Sequence, residues 1–238
     1  MTGILTYAVG DIHGSFTKLA SLLRHCRAHC GANASRFIFV GDYVDRGRRS
    51  RDVVDLLMTM QSQSPGQIVC LRGNHEEMLI NAAQHHDEEL WLINGAEATL
   101  HSYGVRRADE IPSEHLRWFA SLPFSTIDGK RFYVHAGIMP GTPLDQQRRD
   151  VMLWIREPFL SDPRDHGLYI VHGHTPLGTG LPEHLPNRLN IDTGAFFGGP
   201  LTAAVFDESA VGPLAFITNN GAVVRAPAIA ELERSGIR

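Results

Sequence analysis

Three short polar motifs in the first third of the chain share one composition. They read GDIHG at Gly10–Gly14, GDYVDRG at Gly41–Gly47 and GNHE at Gly73–Glu76. Two further histidines stand in HAG at His135–Gly137 and in GHT at Gly173–Thr175. Carboxylate, imidazole and amide groups together suit divalent cations such as Mn²⁺, Fe²⁺ or Zn²⁺, and glycines let the backbone turn sharply beside a crowded centre. These residue types predict a metal centre.

Each of the first three motifs follows a short apolar run, so each begins where a strand ends. The runs are Ile4–Val9, Phe37–Val40 and Ile68–Leu71. In open α/β sheets, ligands bind at the carboxyl ends of the strands. The motifs should therefore meet at one edge of a sheet, and the predicted strands Phe132–Val134 and Leu168–Val171 would deliver the later histidines to the same place.

Helical periodicity separates the first strands. Apolar residues at helical spacing predict a helix over Phe16–Cys30, with Ser15 as its N-cap and Gly31 as its stop, and a second helix over Arg51–Met60. The order strand, helix, strand, helix, strand predicts a parallel sheet with right-handed crossovers. The segment Glu77–Leu122 is expected to be mostly helical and to flank the sheet.

The second half of the chain is expected to be mostly β-structure, with a loop-rich stretch from Pro140 to Gly167. Turns at Asp128-Gly129 and Asn220-Gly221 predict two hairpins. The predicted strands are Phe124–Ile127, Arg131–Val134, Leu168–Val171, Leu189–Ile191, Ala203–Phe206, Leu214–Thr218 and Ala222–Arg225. We expect a second, mixed sheet packed on the first. The predicted fold is α/β with four layers (α/β/β/α), a central β-sandwich of mixed sheets flanked by helices.

Length and composition favour a single domain over residues 1–238, since 43% of the residues are hydrophobic. The net charge of −4 argues against a nucleic-acid partner, because phosphate backbones attract basic surfaces. No apolar stretch is long enough to span a bilayer, and Met1–Ile4 lacks the basic region of a signal peptide. Three cysteines cannot form a disulfide framework and fit a reducing cytoplasm. The oligomeric state stays open, and a monomer is compatible with the sequence.

The motifs, taken in order, resemble the phosphoprotein phosphatase family of metallophosphoesterases. The segments RGNHEEML, WLINGA, WIRE and IDTGAFFGG are similar to the bacterial and bacteriophage lambda type of serine/threonine phosphatase. The resemblance extends from Tyr7 to Thr202, most of the chain. It implies a calcineurin-like domain with a central β-sandwich flanked by helices, in agreement with the fold predicted from the residues.

The resemblance also implies a site that holds two divalent cations, expected to be Mn²⁺ with Fe or Zn as alternatives. The implied ligands are Asp11, His13 and Asp42 for the first cation, and Asp42, Asn74, His135 and His174 for the second. His75 and Asp45 would form the proton-donor pair. Arg46, Arg156 and Asn74 would bind the substrate phosphate.

The implied activity is that of a metal-dependent phosphomonoesterase, a serine/threonine protein phosphatase in which a metal-bridging hydroxide attacks phosphorus directly. The substrate would be a phosphorylated protein or peptide. A symmetrical dinucleoside tetraphosphatase is the alternative, but those enzymes resemble GNHD at the third motif, so Glu76 and the DRG at Asp45–Gly47 favour the protein phosphatase. A broad specificity that includes phosphotyrosine stays open.

Two rivals of other kinds are disfavoured. A phosphodiesterase or nuclease fits poorly with the negative net charge and with two phosphate-binding arginines. A non-catalytic scaffold on the same fold should have lost metal ligands or the His75–Asp45 pair, and this sequence retains them all.

Several polar residues outside the ordered motifs are expected to have supporting roles. His172 and Asp192 would support the metal centre, Asp192 through a hydrogen bond to a metal-bound histidine. Arg48, Arg49 and Arg51 are expected to lie in a solvated loop. His25, Cys26, His29 and Cys30 have the spacing of a helical zinc site, but Cys26 also fits the apolar stripe of its helix, which favours core packing.

Overall fold

The computed structural model describes residues 3–86 and 88–236, so Met1, Thr2 and the last residues of the predicted 1–238 domain lie outside the described part. The strands are β1 (Leu5–Val9), β2 (Ser35–Phe39), β3 (Ile68–Cys70), β4 (Ser125–Ile127), β5 (Arg131–Val134), β6 (Tyr169–His172), β7 (Glu183–His184), β8 (Arg188–Asn190), β9 (Thr202–Phe206), β10 (Ala215–Thr218) and β11 (Val223–Arg225). The helices are α1 (Phe16–Cys30), α2 (Ser50–Gln63), α3 (Asn74–His85), α4 (Glu89–Ile93), α5 (Glu97–Tyr103), α6 (Ser113–Ser121), α7 (Arg149–Trp154) and α8 (Ile229–Arg234).

The strands form two mixed sheets, as the predicted α/β fold requires. The first has the order β11–β10–β9–β1–β2–β3, and the second has the order β4–β5–β6–β8–β7. The pairs β1–β2 and β2–β3 are parallel, as predicted for alternating strands and helices. In the second sheet β5, β6 and β8 are also parallel neighbours. The carboxyl ends of these two parallel sets carry the five motifs.

The last three strands, which the sequence analysis did not assign to either sheet, extend the first sheet. β9 pairs antiparallel with β1, β10 with β9, and β11 with β10. Periodicity in the sequence identifies a strand but not its partner, because the main-chain hydrogen bonds that pair two strands do not depend on residue type. The two predicted hairpins are present, β4–β5 around Asp128-Gly129 and β10–β11 around Asn220-Gly221.

Successive side chains of β1 point to opposite faces of the first sheet and pack in two different hydrophobic cores. Tyr7 and Val9 pack with the helices α1 and α2, whereas Ala8 points into the core between the two sheets. On the outer face of the second sheet, Phe132 packs with Met152 of α7. The arrangement is the predicted four layers, helices on both outer faces of a β-sandwich.

Local differences from the predicted elements have simple causes. The GNHE motif was expected in a loop, but its Asn74 is the first residue of α3, with the Gly73 backbone as the cap. The predicted loop after Pro140 contains the short helix α7. Ser15 precedes α1 without a side-chain cap, because its hydroxyl donates to the carbonyl of His13 instead. Gly31 ends α1 with a φ of +59°, as predicted.

Candidate metal centre

The predicted metal ligands converge at one edge of the sandwich. They follow β1 (Asp11, His13), β2 (Asp42), β3 (Asn74), β5 (His135) and β6 (His174), and all six side chains are buried. Buried polar groups in such number are costly unless they are satisfied by hydrogen bonds or by an ion. Among the described residues, two groups could hold a metal ion: one contains His13, Asp42 and His75, and the other contains Asp42, His135 and His174.

Asp42 lies between the two groups and turns one carboxylate oxygen to each. Its Oδ2 lies 3.4 Å from Nε2 of His13, and its Oδ1 lies 3.4 Å from Nε2 of His135. The backbone places this side chain under constraint, because Asp42 has a φ of +55° and Gly73 packs against it. A Cβ on Gly73 would come within 2.1 Å of Oδ1, so only glycine leaves room for the carboxylate.

Three ligand atoms of the second group face one another. The amide oxygen of Asn74 lies 2.8 Å from Nε2 of His135 and 3.1 Å from Nδ1 of His174. Nδ1 of His135 is 3.0 Å from the carbonyl of Val40, to which it donates its proton, so Nε2 presents a lone pair. Lone pairs directed at an oxygen repel it unless a cation lies between them, and this arrangement therefore fits a metal ion.

The histidines are in the neutral form that binds metals. Burial lowers the pKa of His13 to about 3 and that of His174 to about 2, and it also lowers the pKa of His135. Nδ1 of His13 donates to the carbonyl of Val44 at 2.9 Å, which directs Nε2 towards Asp42. Nε2 of His174 is buried and has no hydrogen-bond partner in the described part of the chain.

The carboxylates of this region repel one another. The pKa of Asp11 lies well above its ordinary value because of burial and the nearby charges of Asp192 and Asp42. Burial and the nearby charge of Asp42 together raise the pKa of Asp192 to about 6. Closely spaced buried carboxylates are the environment that a divalent cation stabilises. The donor set therefore fits the predicted cations.

Among the predicted carboxylate and histidine ligands, Asp11 alone belongs to neither of the two groups. Its carboxylate accepts a hydrogen bond from the backbone N–H of His174 at 3.1 Å, and Gly173 packs directly against it. The first group contains His75 in its place. The role of Asp11 as a ligand therefore stays a prediction.

Left-handed backbone conformations are concentrated at this centre. Six non-glycine residues of the described chain have positive φ, and all but His86 belong to the predicted site. The five are His13, Asp42, Asp45, Arg46 and His174, with φ between 45° and 70°. Such conformations cost a non-glycine residue about 1–2 kcal/mol and persist only where the surroundings impose them.

His75 and Asp45 form a buried pair, as predicted. Nδ1 of His75 lies 2.7 Å from Oδ2 of Asp45 and donates its proton to it. Trp91 of α4 donates Nε1–H to the same oxygen at 2.8 Å, and Thr99 of α5 donates its hydroxyl to Oδ1 at 2.7 Å. The Thr99 hydroxyl also accepts the backbone N–H of Asp45 at 2.7 Å. The helical segment thus fixes the carboxylate that orients His75.

The sequence analysis did not assign roles to Trp91 and Thr99. Trp91 lies in WLINGA, a segment that contributed only to the family resemblance. Each residue is about 50 positions from Asp45, with separations of 46 and 54 residues, and no periodicity identifies such a partner. The sequence offers only the tryptophan itself as a signal, and its burial in an otherwise exposed short helix is visible only in the structure.

Glu76 accepts four backbone hydrogen bonds, a role that was not predicted from the sequence, where Glu76 only distinguished GNHE from GNHD. Its Oε2 accepts the N–H groups of Asp42 and Gly73, both at 2.9 Å. Its Oε1 accepts the N–H of Tyr43 at 2.8 Å and that of Val44 at 3.3 Å. One buried carboxylate therefore joins the loop after β2 to the start of α3, and it sets the position of Asp42.

Two arginines bring positive charge to the mouth of the centre. Arg46 donates from one guanidinium nitrogen to Nε2 of His13 at 2.7 Å and from another to Nε2 of His75 at 3.0 Å. Arg156 is exposed, and its charge contributes to the lowered pKa of both His135 and His174. The structure therefore brings both predicted phosphate-binding arginines to the two metal-ligand groups.

The remaining residues singled out from the sequence lie outside the two groups. His172 is buried, with Nδ1 near the carbonyl of Gly173 at 3.1 Å. Arg48, Arg49 and Arg51 are exposed, as expected for a solvated segment. His25, Cys26, His29 and Cys30 form no metal-ligand group among the described residues. Cys26 is packed in the core, and His29 bonds to the Tyr7 hydroxyl at 2.9 Å.

Comparison with known proteins agrees with this geometry. The profile of the family "Calcineurin-like phosphoesterase" matches residues 4–206. "Serine/threonine-protein phosphatase 1" of Salmonella typhimurium is 32% identical over 209 residues, covering 83% of this chain and 90% of that protein. "Bis(5'-nucleosyl)-tetraphosphatase PrpE [asymmetrical]" of Anoxybacillus flavithermus is 29% identical over 228 residues, covering 84% and 89%.

The same fold occurs in solved structures. A cold-active protein-tyrosine phosphatase of a psychrophilic Shewanella species superimposes with a TM-score of 0.70 over 95% of this chain and 83% of that one. The two sequences are 16% identical, so the likeness concerns the fold alone.

In the described residues, no helix is both long and apolar enough to cross a membrane.

Proposed function

The chain belongs to the calcineurin-like phosphoesterase family, and we propose that it hydrolyses phosphate monoesters, with phosphoserine and phosphothreonine of proteins as substrates. The observation that carries the proposal is the position of Asp42. Its two oxygens face two separate groups of ligands, beside the His75–Asp45 pair and the Arg46 guanidinium. The protein phosphatase of Salmonella that covers most of this chain supports the choice of substrate.

We propose Mn²⁺ as the resident cation, because carboxylate, imidazole and amide ligands suit intermediate divalent metals. The first cation would use Asp11, His13 and Asp42. The second would use Asp42, Asn74, His135 and His174. When bound, two such cations supply an activated water as nucleophile and offset the negative charge of the phosphoryl group.

The chain's own residues would perform the other steps. Arg46 and Arg156 would hold phosphoryl oxygens through charged hydrogen bonds, with Asn74 beside them. Once Arg46 turns from Nε2 of His75 to the phosphoryl oxygens, that nitrogen would be free to carry a proton and to give it to the leaving oxygen, since an alkoxide leaves poorly without one. Asp45 accepts the Nδ1 proton of His75 and so orients the ring and stabilises its protonated form. The carboxylate of Asp42 raises the pKa of His75, as does its hydrogen bond with Asp45, and this favours the donor form.

A His75→Asn variant tests the assignment of the proton donor. We expect kcat on a phosphoserine peptide to fall by about a hundredfold to ten-thousandfold, the usual contribution of a general acid. Metal content should stay that of the wild type, because His75 is not one of the proposed ligands. Unchanged turnover would remove His75 from the mechanism.

A dinucleoside tetraphosphatase is the second candidate, since the relative from Anoxybacillus has that name and covers most of this chain. Metal-stripped protein restored with Mn²⁺ would be assayed on a phosphothreonine peptide and on diadenosine tetraphosphate side by side. Phosphate release from the peptide alone supports the protein phosphatase. Cleavage of the dinucleotide alone would support the same metal site with a nucleotide as the substrate.

The three free cysteines fit the reducing cytoplasm, which we propose as the compartment.

A further inference from the structure

Two aromatic side chains stand exposed at the mouth of the metal centre. Phe197, in the loop after β8, is 64% exposed, and Trp154, at the end of α7, is 38% exposed. The Phe197 ring centroid lies 5.5 Å from the guanidinium carbon of Arg46. The Trp154 ring lies 6.1 Å from that of His174 at an interplanar angle of 86°. Each ring therefore neighbours a different group of the metal centre.

The exposure of Phe197 is imposed by a stiff loop. Lys18 of α1 donates from Nζ to the carbonyls of Ala195 and Gly199, at 2.6 and 2.7 Å. The N–H groups of Phe197 and Gly199 both donate to the carbonyl of Gly194, at 2.9 and 3.0 Å. Four hydrogen bonds within so short a segment hold the loop in one shape. They keep the aromatic ring out of the core and in water.

The loop is also tied to the metal centre itself. It begins at Asp192, whose Oδ1 accepts the N–H of Gly194 at 3.1 Å. The preceding carbonyl of Ile191 packs against Gly10, which comes directly before Asp11, and a Cβ on Gly10 would lie 2.2 Å from it. A Cβ on Gly199 would lie 2.0 Å from the carbonyl of Thr193, so the loop closes only with glycine at that position. The position of Phe197 is thus fixed relative to the ligands.

We propose that Phe197 is a specificity-determining residue, which binds a flat apolar group joined to the phosphorus through the ester oxygen alone, as in the aryl phosphate of phosphotyrosine. Trp154 would flank the same group from the His174 side. This inference rests on the proposed phosphomonoesterase activity and adds aryl phosphates to the phosphoserine and phosphothreonine substrates proposed for it. Aromatic rings are frequent in ligand-binding sites, because they combine a large apolar area with little conformational freedom.

The position of Phe197 favours an aryl phosphate over a nucleotide. A phosphoryl group held by Arg46 would place the next atoms of its leaving group beside the ring that packs on the same guanidinium. In phosphotyrosine these atoms already belong to an aromatic ring. In a dinucleoside tetraphosphate the base is separated from the phosphorus by ribose and further phosphate groups.

Two small probes isolate the contribution of the ring. Phenylphosphonate and methylphosphonate share a head group that phosphatases cannot hydrolyse and differ in the aromatic group alone. Calorimetric titration of the Mn²⁺-loaded enzyme should show tighter binding of phenylphosphonate. A Phe197→Ala variant should reduce this preference by about twofold to tenfold, the range that an aromatic pair contributes. Phe197→Leu, which keeps apolar volume without the ring, should lose part of it.

A surface valine provides the matched control. Val224 is 58% exposed on the edge strand β11, which β10 and β9 separate from β1. Val224→Ala should bind both probes as the wild type does. Because both side chains project into water, neither alanine variant should alter folding, and thermal unfolding verifies this.

Kinetics with two peptides of the same flanking sequence provide the second measurement. Phe197→Ala should lower kcat/KM for the phosphotyrosine peptide about tenfold more than for the phosphoserine peptide, mainly through KM. Equal losses on both peptides would overturn the proposal, because they would indicate that the ring only supports Arg46. A larger loss on diadenosine tetraphosphate would also overturn it, in favour of a base as the occupant.

The remaining outcomes separate this inference from the proposed function. A wild type that binds both phosphonates equally, yet hydrolyses phosphoserine peptides, overturns the role of Phe197 alone. A wild type that prefers phenylphosphonate but hydrolyses no monoester overturns the proposed function alone. If Phe197→Ala changed only the sedimentation of the protein, the ring would be an interface between copies and the proposal would be wrong.

Discussion

Thr99 offers a sharp test of how the His75–Asp45 pair is held. Its hydroxyl donates to Oδ1 of Asp45 and accepts the backbone N–H of Asp45, both at 2.7 Å, and both residues are buried. Thr99→Val keeps the shape of the side chain and removes both hydrogen bonds, together with a third one to the buried Ser50 hydroxyl at 3.0 Å. A buried carboxylate oxygen and a buried N–H would then lack these partners.

The magnitude follows from the two lost contacts. A hydrogen bond to a charged group contributes about 1.5–3 kcal/mol, and a buried N–H left without a partner costs about 1–3 kcal/mol. We therefore expect Thr99→Val to lower the free energy of unfolding by about 2.5–6 kcal/mol. Because Asp45 would no longer be fixed on one side, we also expect kcat to fall about tenfold to a hundredfold.

Thr99→Ser is the matched control, since serine keeps the hydroxyl and loses only a methyl group. It should cost about 1 kcal/mol and leave kcat close to the wild-type value. Urea unfolding of the metal-stripped variants measures stability, and steady-state kinetics of the Mn²⁺-restored variants measures kcat. If valine and serine behaved alike in both assays, the two hydrogen bonds would contribute little and the reasoning would be refuted.

Three further predictions concern other parts of the molecule. Glu76→Gln should lower both metal content and stability, because an amide cannot accept all four N–H groups that the carboxylate accepts; wild-type metal content would contradict this. Burial lowers the pKa of His184 from 6.5 to about 4, so the unfolded chain binds the proton more tightly, and stability should fall as the pH drops from about 6.5 to about 4. His184→Phe should reduce that pH dependence in denaturant titrations of metal-stripped protein, and an unaltered slope would argue against it. Cys26→Ala/Cys30→Ala should retain the wild-type metal content, whereas loss of a metal equivalent would establish a site on α1.

The sequence was sufficient to predict the edge of the sheet where the ligands meet. Each motif directly follows an apolar strand, so that strand order and crossover handedness leave few alternatives for where Asp42 and His135 can lie. The helix α1 was predicted with the observed bounds, since its apolar stripe and its terminal Gly31 are both local signals.

Contacts between distant segments could not be predicted in the same way. The pairing of β9 with β1 and the bonds from Trp91 and Thr99 to Asp45 join residues far apart in the chain, and they depend on how whole layers pack. The start of α3 at Asn74, three residues before the predicted helical segment Glu77–Leu122, was missed for a related reason. Its cap is a glycine backbone assisted by Glu76, so the usual side-chain signal is absent from the sequence.

The left-handed conformations of His13, Asp42, Asp45, Arg46 and His174 have an evolutionary consequence. Glycine adopts such conformations without steric cost, so replacement by glycine at these positions would remove unfavourable backbone energy while deleting the reactive groups. A library selected only for thermal resistance should accordingly accumulate glycine at this edge of the sandwich, whereas a library selected for turnover should not. At these five positions, a substitution that increases thermal stability is therefore expected to reduce turnover.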